Sequence, residues 1–154
     1  MRWFTINFDE MKVEITQYTT EDYLKLIELW EHSDLPYKPH GRDSKKKIEA
    51  EVERGIGKFF FAVVGNQYVG TILVTHDGRK GWINRLAVLH EYRKKGIAKK
   101  LIDAAEKWLD EQGIEIYACQ IEDYNKESFE VFKKLGYIPF EGIHYLTKRK
   151  YSDV

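Results

Sequence analysis

Apolar and polar residues begin to alternate near Met11. Val13 and Ile15 are separated by polar residues, and this period of two predicts a strand with one buried face. The following segment, Thr20–Asp22, has the composition of a helix start. Apolar residues then recur at helical spacing, at Tyr23, Leu26, Ile27 and Trp30. The pattern therefore predicts a strand followed by an amphipathic helix.

A loop over residues 34–41, which contains two prolines and a glycine, separates this helix from a more polar one. Asp43 or Ser44 is placed to cap the second helix, which runs to about Arg54. Three apolar runs follow, and short turns containing glycine join them, which predicts an antiparallel meander. We expect its strands over residues 59–64, 68–75 and 82–88.

The second half alternates between helical and strand-like patterns. One amphipathic helix runs from Gly96 to Gly113 and another from Asn125 to Gly136, with a strand over residues 114–121 between them. Two more strands are expected, over residues 137–140 and 144–147. The element order predicts an α+β fold, in which about four helices flank a mixed, mostly antiparallel sheet of six to seven strands. The unit at 82–121 should be a right-handed parallel crossover.

Length and charge narrow the class of protein. We expect residues 1–10 to be an N-terminal extension and residues 11–154 to form a single domain. The chain is 43% hydrophobic and 32% charged, which is ordinary for a globular protein. Lys and Arg together number 25, as do Asp and Glu, so the net charge is zero. This balance disfavours a nucleic-acid-binding protein, although residues 93–100 form a local basic patch.

Cys119 is the single cysteine, so no internal disulfide and no cysteine metal cluster can form. This usage favours a reducing compartment. We expect Cys119 to be a buried thiol within a strand rather than a nucleophile. No apolar run approaches membrane-spanning length, and the first residues lack the apolar core of a signal peptide. The sequence therefore predicts a cytoplasmic protein with neither a metal site nor a membrane partner.

A basic turn, Arg93-Lys94-Lys95-Gly96, stands between the third strand of the meander and the next helix. The free N–H groups of a helix's first turn bind anions, and the helix dipole adds positive charge there. Gly96 has no Cβ to keep a ligand away from the main chain. The turn predicts a diphosphate site, and the alternative is a solvated basic turn. Neither a P-loop nor a dinucleotide-binding glycine pattern is present.

Three short motifs lie on these elements. They are Leu86-Ala87-Val88, then Arg93-x-x-Gly96-x-Ala98, then Asn125-x-x-Ser128-x-x-Val131-Phe132-x-x-Leu135-Gly136-Tyr137. Together they resemble the GNAT superfamily of acyl-CoA-dependent N-acetyltransferases, and the element order over residues 11–150 is similar too. Leu29-Trp30-Glu31 and Asp77-Gly78 are similar to small bacterial members of the YpeA type.

The resemblance implies acetyl-CoA as co-substrate, an amine acceptor, and a homodimer as an assembly common among similar proteins. Backbone N–H groups of residues 95–98 would hold the pyrophosphate. Leu86 and Val88 would pair with the pantetheine arm as an added strand does. Asn125 would bind the arm from the other side. The cofactor-binding residues implied are Leu86, Ala87, Val88, Arg93, Lys94, Lys95, Gly96, Ile97, Ala98, Asn125, Ser128 and Phe132.

Two positions depart from the family's catalytic pattern. Phe132 stands where the usual tyrosine donates a proton to sulfur, and Gln120 stands where some relatives carry a glutamate base. Either other groups act as proton donor and base, or the thiolate leaves without a proton donor. The second is feasible because a thiol has a pKa of only ~8.5. The catalytic candidates are Glu122, Tyr124 and Tyr145, with Asp123 and His76 as alternative bases. On the first loop, Tyr37 and His40 are candidates for contacting the acceptor.

Three functions are compatible with these observations. The leading hypothesis is an N-acetyltransferase that moves an acetyl group to a primary amine of a small molecule or protein, by direct attack in a ternary complex. A non-catalytic acyl-CoA-binding sensor is the second hypothesis, and the residues at 120 and 132 motivate it. A nucleic-acid module that uses the basic patch is the weakest, because the net charge is zero.

Overall fold

A computed structural model describes residues 11–154, so the predicted extension over residues 1–10 lies outside the described residues. The described part contains five strands and four α-helices. The strands are β1 (Val13–Gln17), β2 (Gly57–Val64), β3 (Gln67–His76), β4 (Gly81–Val88) and β5 (Tyr117–Cys119). The helices are α1 (Tyr23–His32), α2 (Lys45–Glu53), α3 (Ile97–Glu111) and α4 (Lys126–Lys134).

The strands form one mixed sheet in the order β1-β2-β3-β4-β5. The first three pairings are antiparallel, and β5 lies parallel to β4 after the connection through α3. The predicted meander, the parallel β4–α3–β5 unit and the α+β class with four helices are therefore confirmed.

The predicted number of strands is wrong, because the sheet has five strands rather than six to seven. Residues 137–140 and 144–147 have the composition of strands, yet they form no ladder within the described residues. Strand propensity reflects how well side chains fit a pleated surface. It does not ensure that another strand lies alongside to pair with. The strand expected over residues 114–121 is also shorter than predicted, since only Tyr117–Cys119 pair with β4.

The core lies on both faces of the sheet. Phe59 and Phe61 of β2 are fully buried, and the ring of Phe59 lies 6.2 Å from that of Trp30 on α1. Phe60 points to the other face by strand alternation, where it lines a groove with residues of α3. Helix α3 buries Leu101, Ile102, Ala105 and Leu109. Helices on both faces therefore hold the middle strands rigid, which fixes the position of the end of β4.

None of the helices in residues 11–154 is long and apolar enough to cross a membrane. Over the same range, no group of three or more His, Cys, Asp or Glu side chains is arranged to hold a metal ion.

Candidate active site

Strand β4 loses its neighbour on one side halfway along its length. Pairing with β5 stops at Ile83 and Cys119, whereas pairing with β3 continues to Val88. In the described structure, residues 84–88 thus have no strand partner on the β5 side. Backbone N–H and C=O groups at such an edge can pair with an extended ligand that carries amides.

A bulge in β4 accompanies this separation. Between the pairs Leu73–Asn84 and Thr71–Ala87, two residues of β4 stand opposite one residue of β3. The first of the two, Arg85, has a φ of 54°, in the left-handed region that a non-glycine residue seldom adopts. A bulge increases the local twist of a strand and redirects its side chains. This bulge therefore separates the end of β4 from β5 and turns Arg85 away from the regular alternation.

The basic turn follows β4 after Leu89 and a short 3-10 helix, His90–Tyr92, and it precedes α3 as the sequence predicted. Lys94 and Gly96 have φ values of 58° and 79°, and Gly96 is the N-cap of α3. A Cβ built on Gly96 would meet no atom within 4 Å, so the space before the helix is open. The first N–H groups of the helix have no partner within it. The turn therefore presents main-chain donors at the open end of β4.

Arg93 links three elements at this end of the sheet. Its Nε donates a hydrogen bond of 2.9 Å to the Val88 carbonyl, and its Nη1 lies 3.9 Å from the Glu127 carboxylate at the start of α4. The guanidinium therefore connects β4, the turn and α4. The sequence predicted a position beside a pyrophosphate, and the structure adds a bracing role that the motif did not indicate.

Helix α4 carries the third motif. Asn125 is its N-cap, and the side-chain oxygen accepts a hydrogen bond of 3.2 Å from the Ser128 backbone N–H. The amide nitrogen of the Asn125 side chain is not part of this cap. Phe132 is buried, and its ring meets that of Tyr137 edge-on at 4.9 Å. Tyr137 in turn donates a hydrogen bond of 2.7 Å to Glu106, which fixes α4 on α3.

The catalytic candidates are only partly brought together. Glu122 and Tyr124 lie in the loop that joins β5 to α4, and the Glu122 carbonyl accepts a hydrogen bond of 2.8 Å from the Asn125 N–H. Both side chains are exposed. Tyr145 lies elsewhere, on the irregular C-terminal segment, with 73% of its surface exposed. The structure thus places Glu122 and Tyr124 in the loop that leads to Asn125, and Tyr145 on a different segment of the chain.

His76 is ruled out as a base for this site by its position. It ends β3 and pairs with Gly81 at the start of β4, because the two strands are antiparallel. Seven residues of strand separate Gly81 from Val88, or about 23 Å at ~3.3 Å per residue. Cys119 is partly buried, and burial raises the pKa of its thiol to about 11. A neutral thiol is a poor nucleophile, so the prediction of a structural cysteine agrees with this environment.

Sequence reasoning missed a buried ion pair on the other side of β4. Arg85 Nη2 lies 2.6 Å from the Asp43 carboxylate, and the guanidinium stands 4.7 Å from the centre of the Trp30 ring. Arg85 Nη1 also donates to the Pro36 carbonyl at 2.5 Å, and the Lys38 N–H donates to Asp43 at 2.7 Å. The one sequence feature that pointed to this ion pair was Arg85 itself, a charged residue within an apolar strand pattern.

This ion pair fixes the loop over residues 34–43 against the bulge. Tyr37 of the loop donates a hydrogen bond to Glu31, whereas His40 is exposed. Burial lowers the pKa of Arg85, and the charge of Asp43 opposes that effect. Burial, with repulsion from Asp43, raises the pKa of Glu51 on α2. The loop that was predicted to contact an acceptor therefore lies beside the open end of β4.

The fold and the candidate site together describe an α+β protein in which the open N-terminus of a helix lies near a separated strand pair. Residues 16–137 match the model of the acetyltransferase (GNAT) family. The chain therefore belongs to the GNAT family of acetyltransferases.

Solved structures share the fold at low sequence identity. AAC(6')-Iy, in complex with a bisubstrate analogue of CoA, superposes with a TM-score of 0.76 at 20% identity, over 90% of this chain and 99% of that one. PaiA N-acetyltransferase from Thermoplasma acidophilum, in complex with coenzyme A, gives 0.74 at 24% identity, over 86% and 94%. A predicted acetyltransferase from Clostridium acetobutylicum, with acetyl-CoA, gives 0.73 at 16% identity, over 88% and 96%.

Proposed function

We propose that this protein is an N-acetyltransferase that moves an acetyl group from acetyl-CoA to a primary amine by direct attack in a ternary complex. One observation carries the proposal: the unpaired stretch of β4, residues 84–88, lies near the open N-terminus of α3, since the turn before that helix is joined to the Val88 carbonyl through Arg93. The edge suits an extended arm with amides, and the helix start suits a diphosphate. Membership of the family and the CoA complexes of the similar structures support the same assignment.

The residues present fit acetyl-CoA. Gly96 leaves the approach to the first helical turn clear, and Lys94 and Arg93 add positive charge there. In this proposal Leu86 and Val88 offer backbone groups to the arm, and the side-chain amide nitrogen of Asn125, which the helix cap does not use, donates to it from the start of α4. Acetyl-CoA supplies a thioester, whose carbonyl carbon accepts a nucleophile and whose thiolate can leave. In this assignment Lys95, Ile97, Ala98, Ala87, Ser128 and Phe132 complete the pocket.

The amine must lose a proton, because a lysine-type amine has a pKa of ~10.4 and is mostly protonated at neutral pH. We assign Glu122 as the base, since it lies in the loop beside the open end of the sheet. The ammonium first releases one proton to solvent, and the neutral nitrogen then bonds to the thioester carbon, which gives a tetrahedral oxyanion. The second proton of the nitrogen passes to Glu122, and the oxyanion collapses as the carbon–sulfur bond breaks. Tyr124 or Tyr145 gives a proton to the thiolate and regains one from solvent. An N–H group near Val88 stabilises the oxyanion, which elsewhere contributes about 3 kcal/mol.

The acceptor side is the loop over residues 34–43 together with Arg85. We propose that its polar groups, including Tyr37 and Glu31, select the amine. A small amine or a protein amine fits this description, and several similar structures are named as aminoglycoside acetyltransferases. The single free cysteine supports a cytoplasmic location.

The test is turnover with acetyl-CoA and a panel of amines: an aminoglycoside, spermidine, and peptides with a free N-terminus or lysine. Free thiol should appear at a rate that depends on one of these amines. Glu122→Gln should lower kcat about a hundredfold and leave acetyl-CoA affinity unchanged. Glu115→Gln, at the other exposed end of β5, is the matched control and should leave kcat unchanged. Tight acetyl-CoA binding without turnover on any amine would sink the proposal.

A non-catalytic acyl-CoA sensor is the second candidate, and the buried Phe132 at the usual proton donor's position favours it. Mass spectrometry of the purified protein separates the two functions. An intact thioester that persists with every amine supports a sensor, whereas bound free CoA with acetylated amine supports the transferase.

A further inference from the structure

An open pocket is lined by helix α2 together with residues on either side of this helix. Its volume is about 390 Å³, which is near the lower end for sites that bind small molecules. Three of the lining side chains are basic, one is acidic and two are apolar: Arg42, Lys47, Arg54, Glu51, Ala50 and Ile56. The pocket therefore combines an excess of positive charge with a small apolar surface.

The positive charges of this pocket are poorly neutralised within the chain. Arg42 Nε lies 3.8 Å from the Asp43 carboxylate, but Arg85 holds the same carboxylate more closely, at 2.6 Å. Within residues 11–154, the side chains of Lys47 and Arg54 take part in no hydrogen bond or close ion pair. The pocket thus has basic groups that are available to an anion.

The one acidic residue of the pocket does not cancel this excess. Glu51 is half-buried, and its charge interacts with those of Arg54 and Arg85. Helix α2 also begins with three lysines, Lys45–Lys47, and its first turn holds no acidic residue. Cations are unfavourable at the positive end of a helix dipole. The local charges therefore add to one another, and an anionic ligand in the pocket would relieve their repulsion.

The pocket adjoins the acceptor side of the proposed transferase. Arg85 belongs to the open stretch of β4, and its guanidinium reaches the Asp43 carboxylate. The residue before Asp43, Arg42, lines the pocket, and Glu51 on the opposite wall is close enough to respond to the charges of both Arg85 and Asp43. The length of one arginine side chain therefore separates the pocket from the open stretch of β4.

We propose that this pocket binds a carboxylate or phosphate group of the acceptor, so that the preferred substrates are small primary amines that carry such a group. The inference rests on the proposed function, because it names the class of amine. Arg42, Lys47 and Arg54 attract the anionic group, and Ala50 and Ile56 contact a short hydrocarbon part. A polyamine or an aminoglycoside carries several positive charges, so the same basic residues repel it.

The first experiment tests the site without acetyl transfer. Protein labelled with 15N is titrated separately with inorganic phosphate and with acetate, and the amide resonances are followed by NMR. We expect saturable shifts within residues 42–56 for at least one of the two anions. The position of these shifts distinguishes the pocket from the proposed diphosphate site at the start of α3. The absence of shifts within residues 42–56 would overturn the inference, whatever the enzyme does with amines.

A matched pair of variants shows whether the pocket itself binds the anion. Lys47→Glu should weaken this anion binding at least about tenfold, because it reverses one charge that lines the pocket. Lys46→Glu is the control, since Lys46 is exposed in the same turn of α2 but does not line the pocket. The control should bind the anion nearly as the wild type does. Equal losses in the two variants would reveal a general effect of surface charge and would contradict the inference.

The second experiment measures acetyl transfer with pairs of amines that differ in charge. β-Alanine is compared with β-alaninamide, phosphoethanolamine with ethanolamine, and spermidine serves as the polycation. For at least one pair, kcat/KM should be at least about tenfold higher with the anionic member, mainly through KM. The pair that shows the preference tells a carboxylate from a phosphate. Lys47→Glu should remove the preference, and Lys46→Glu should keep it.

The outcomes separate this inference from the proposed function. Turnover that favours the neutral amines or spermidine would overturn the inference and leave the transferase in place. No turnover with any amine would overturn the proposed function, and the inference with it.

Discussion

The two sides of β4 at its open end are built from different parts of the chain. On the side proposed to bind the cofactor (the cofactor side), residues 93–98 present main-chain groups in a turn with positive φ values at Lys94 and Gly96. On the side proposed to bind the amine (the acceptor side), a loop is held by a side-chain ion pair between residues 42 positions apart, Asp43 and Arg85. A main-chain cradle suits a ligand that a whole family shares. A surface made of side chains changes its shape and charge with each substitution. We therefore expect the acceptor side to determine which amine is accepted.

The largest expected effect is on the acceptor side. Asp43→Ala should lower the free energy of unfolding by about 3 kcal/mol, because it leaves the guanidinium of Arg85 buried and unpaired. The Arg85 and Asp43 side chains are only 13% and 9% exposed. Denaturant unfolding measures the loss, and acetyl-CoA affinity should change little in the folded variant.

Asp103→Ala is the control for that loss. The Lys99–Asp103 pair has the same separation of 2.6 Å, but its side chains are 60% and 51% exposed. Removing it should cost less than about 1 kcal/mol, since solvent screens the charges. Equal losses of unfolding free energy in the two variants would show that burial of the Asp43–Arg85 pair adds nothing to the cost of breaking it.

On the cofactor side, Gly96→Glu should weaken coenzyme A binding about a hundredfold or more, as calorimetry would show. The substitution adds a side chain and a negative charge where the pyrophosphate is proposed to bind. Gly113→Glu is a close control at the opposite end of α3. Gly113 has a φ of 74° against 79° for Gly96, and both face open space, so the backbone strain is similar. Equal affinities in the two variants would remove the site assignment.

Arg93→Ala should weaken coenzyme A binding about tenfold, a smaller loss, because the main-chain donors remain. The variant loses a charge near the proposed diphosphate and the hydrogen bond to the Val88 carbonyl. Arg93→Lys should recover part of the affinity, since it restores the charge without the planar fork. An unchanged affinity in Arg93→Ala would limit this arginine to its bracing role.

The smallest effect concerns pH and the acceptor side. Burial and repulsion from Asp43 raise the pKa of Glu51 in the folded state. As the pH rises through ~4.3, Glu51 loses its proton in the unfolded chain before it does so in the folded protein. The free energy of unfolding therefore falls as the pH rises. Glu51→Gln keeps the side chain neutral. The variant should be more stable than the wild type at pH 7 and equal to it below pH ~4. Denaturant unfolding at both values measures this, and a variant less stable at pH 7 contradicts it.

Predictions from sequence succeeded where the signal was local. The turn at Gly96, the helix that starts at Asn125 and a glycine-containing turn between β2 and β3 follow from short-range conformational preferences. The structure has all three, with the last at Gly65 and Asn66. Predictions failed where an element depends on pairing with a distant part of the chain. The strands over residues 137–140 and 144–147 have suitable residues but no neighbour, and the end of β5 separates from β4 at a bulge that no pattern indicated.

The amino-acid sequence by itself determined the order of elements as far as α4, the turn before α3 and the resemblance to the family, because each depends on residues close together along the chain. Only the tertiary structure decided that Arg85 pairs with Asp43 and that His76 lies at the far end of β4. Burial and antiparallel pairing bring together or separate residues in ways that periodicity does not encode. For that reason the turn before α3 could be predicted from the sequence, whereas the contact between Arg85 and the loop over residues 34–43 could not.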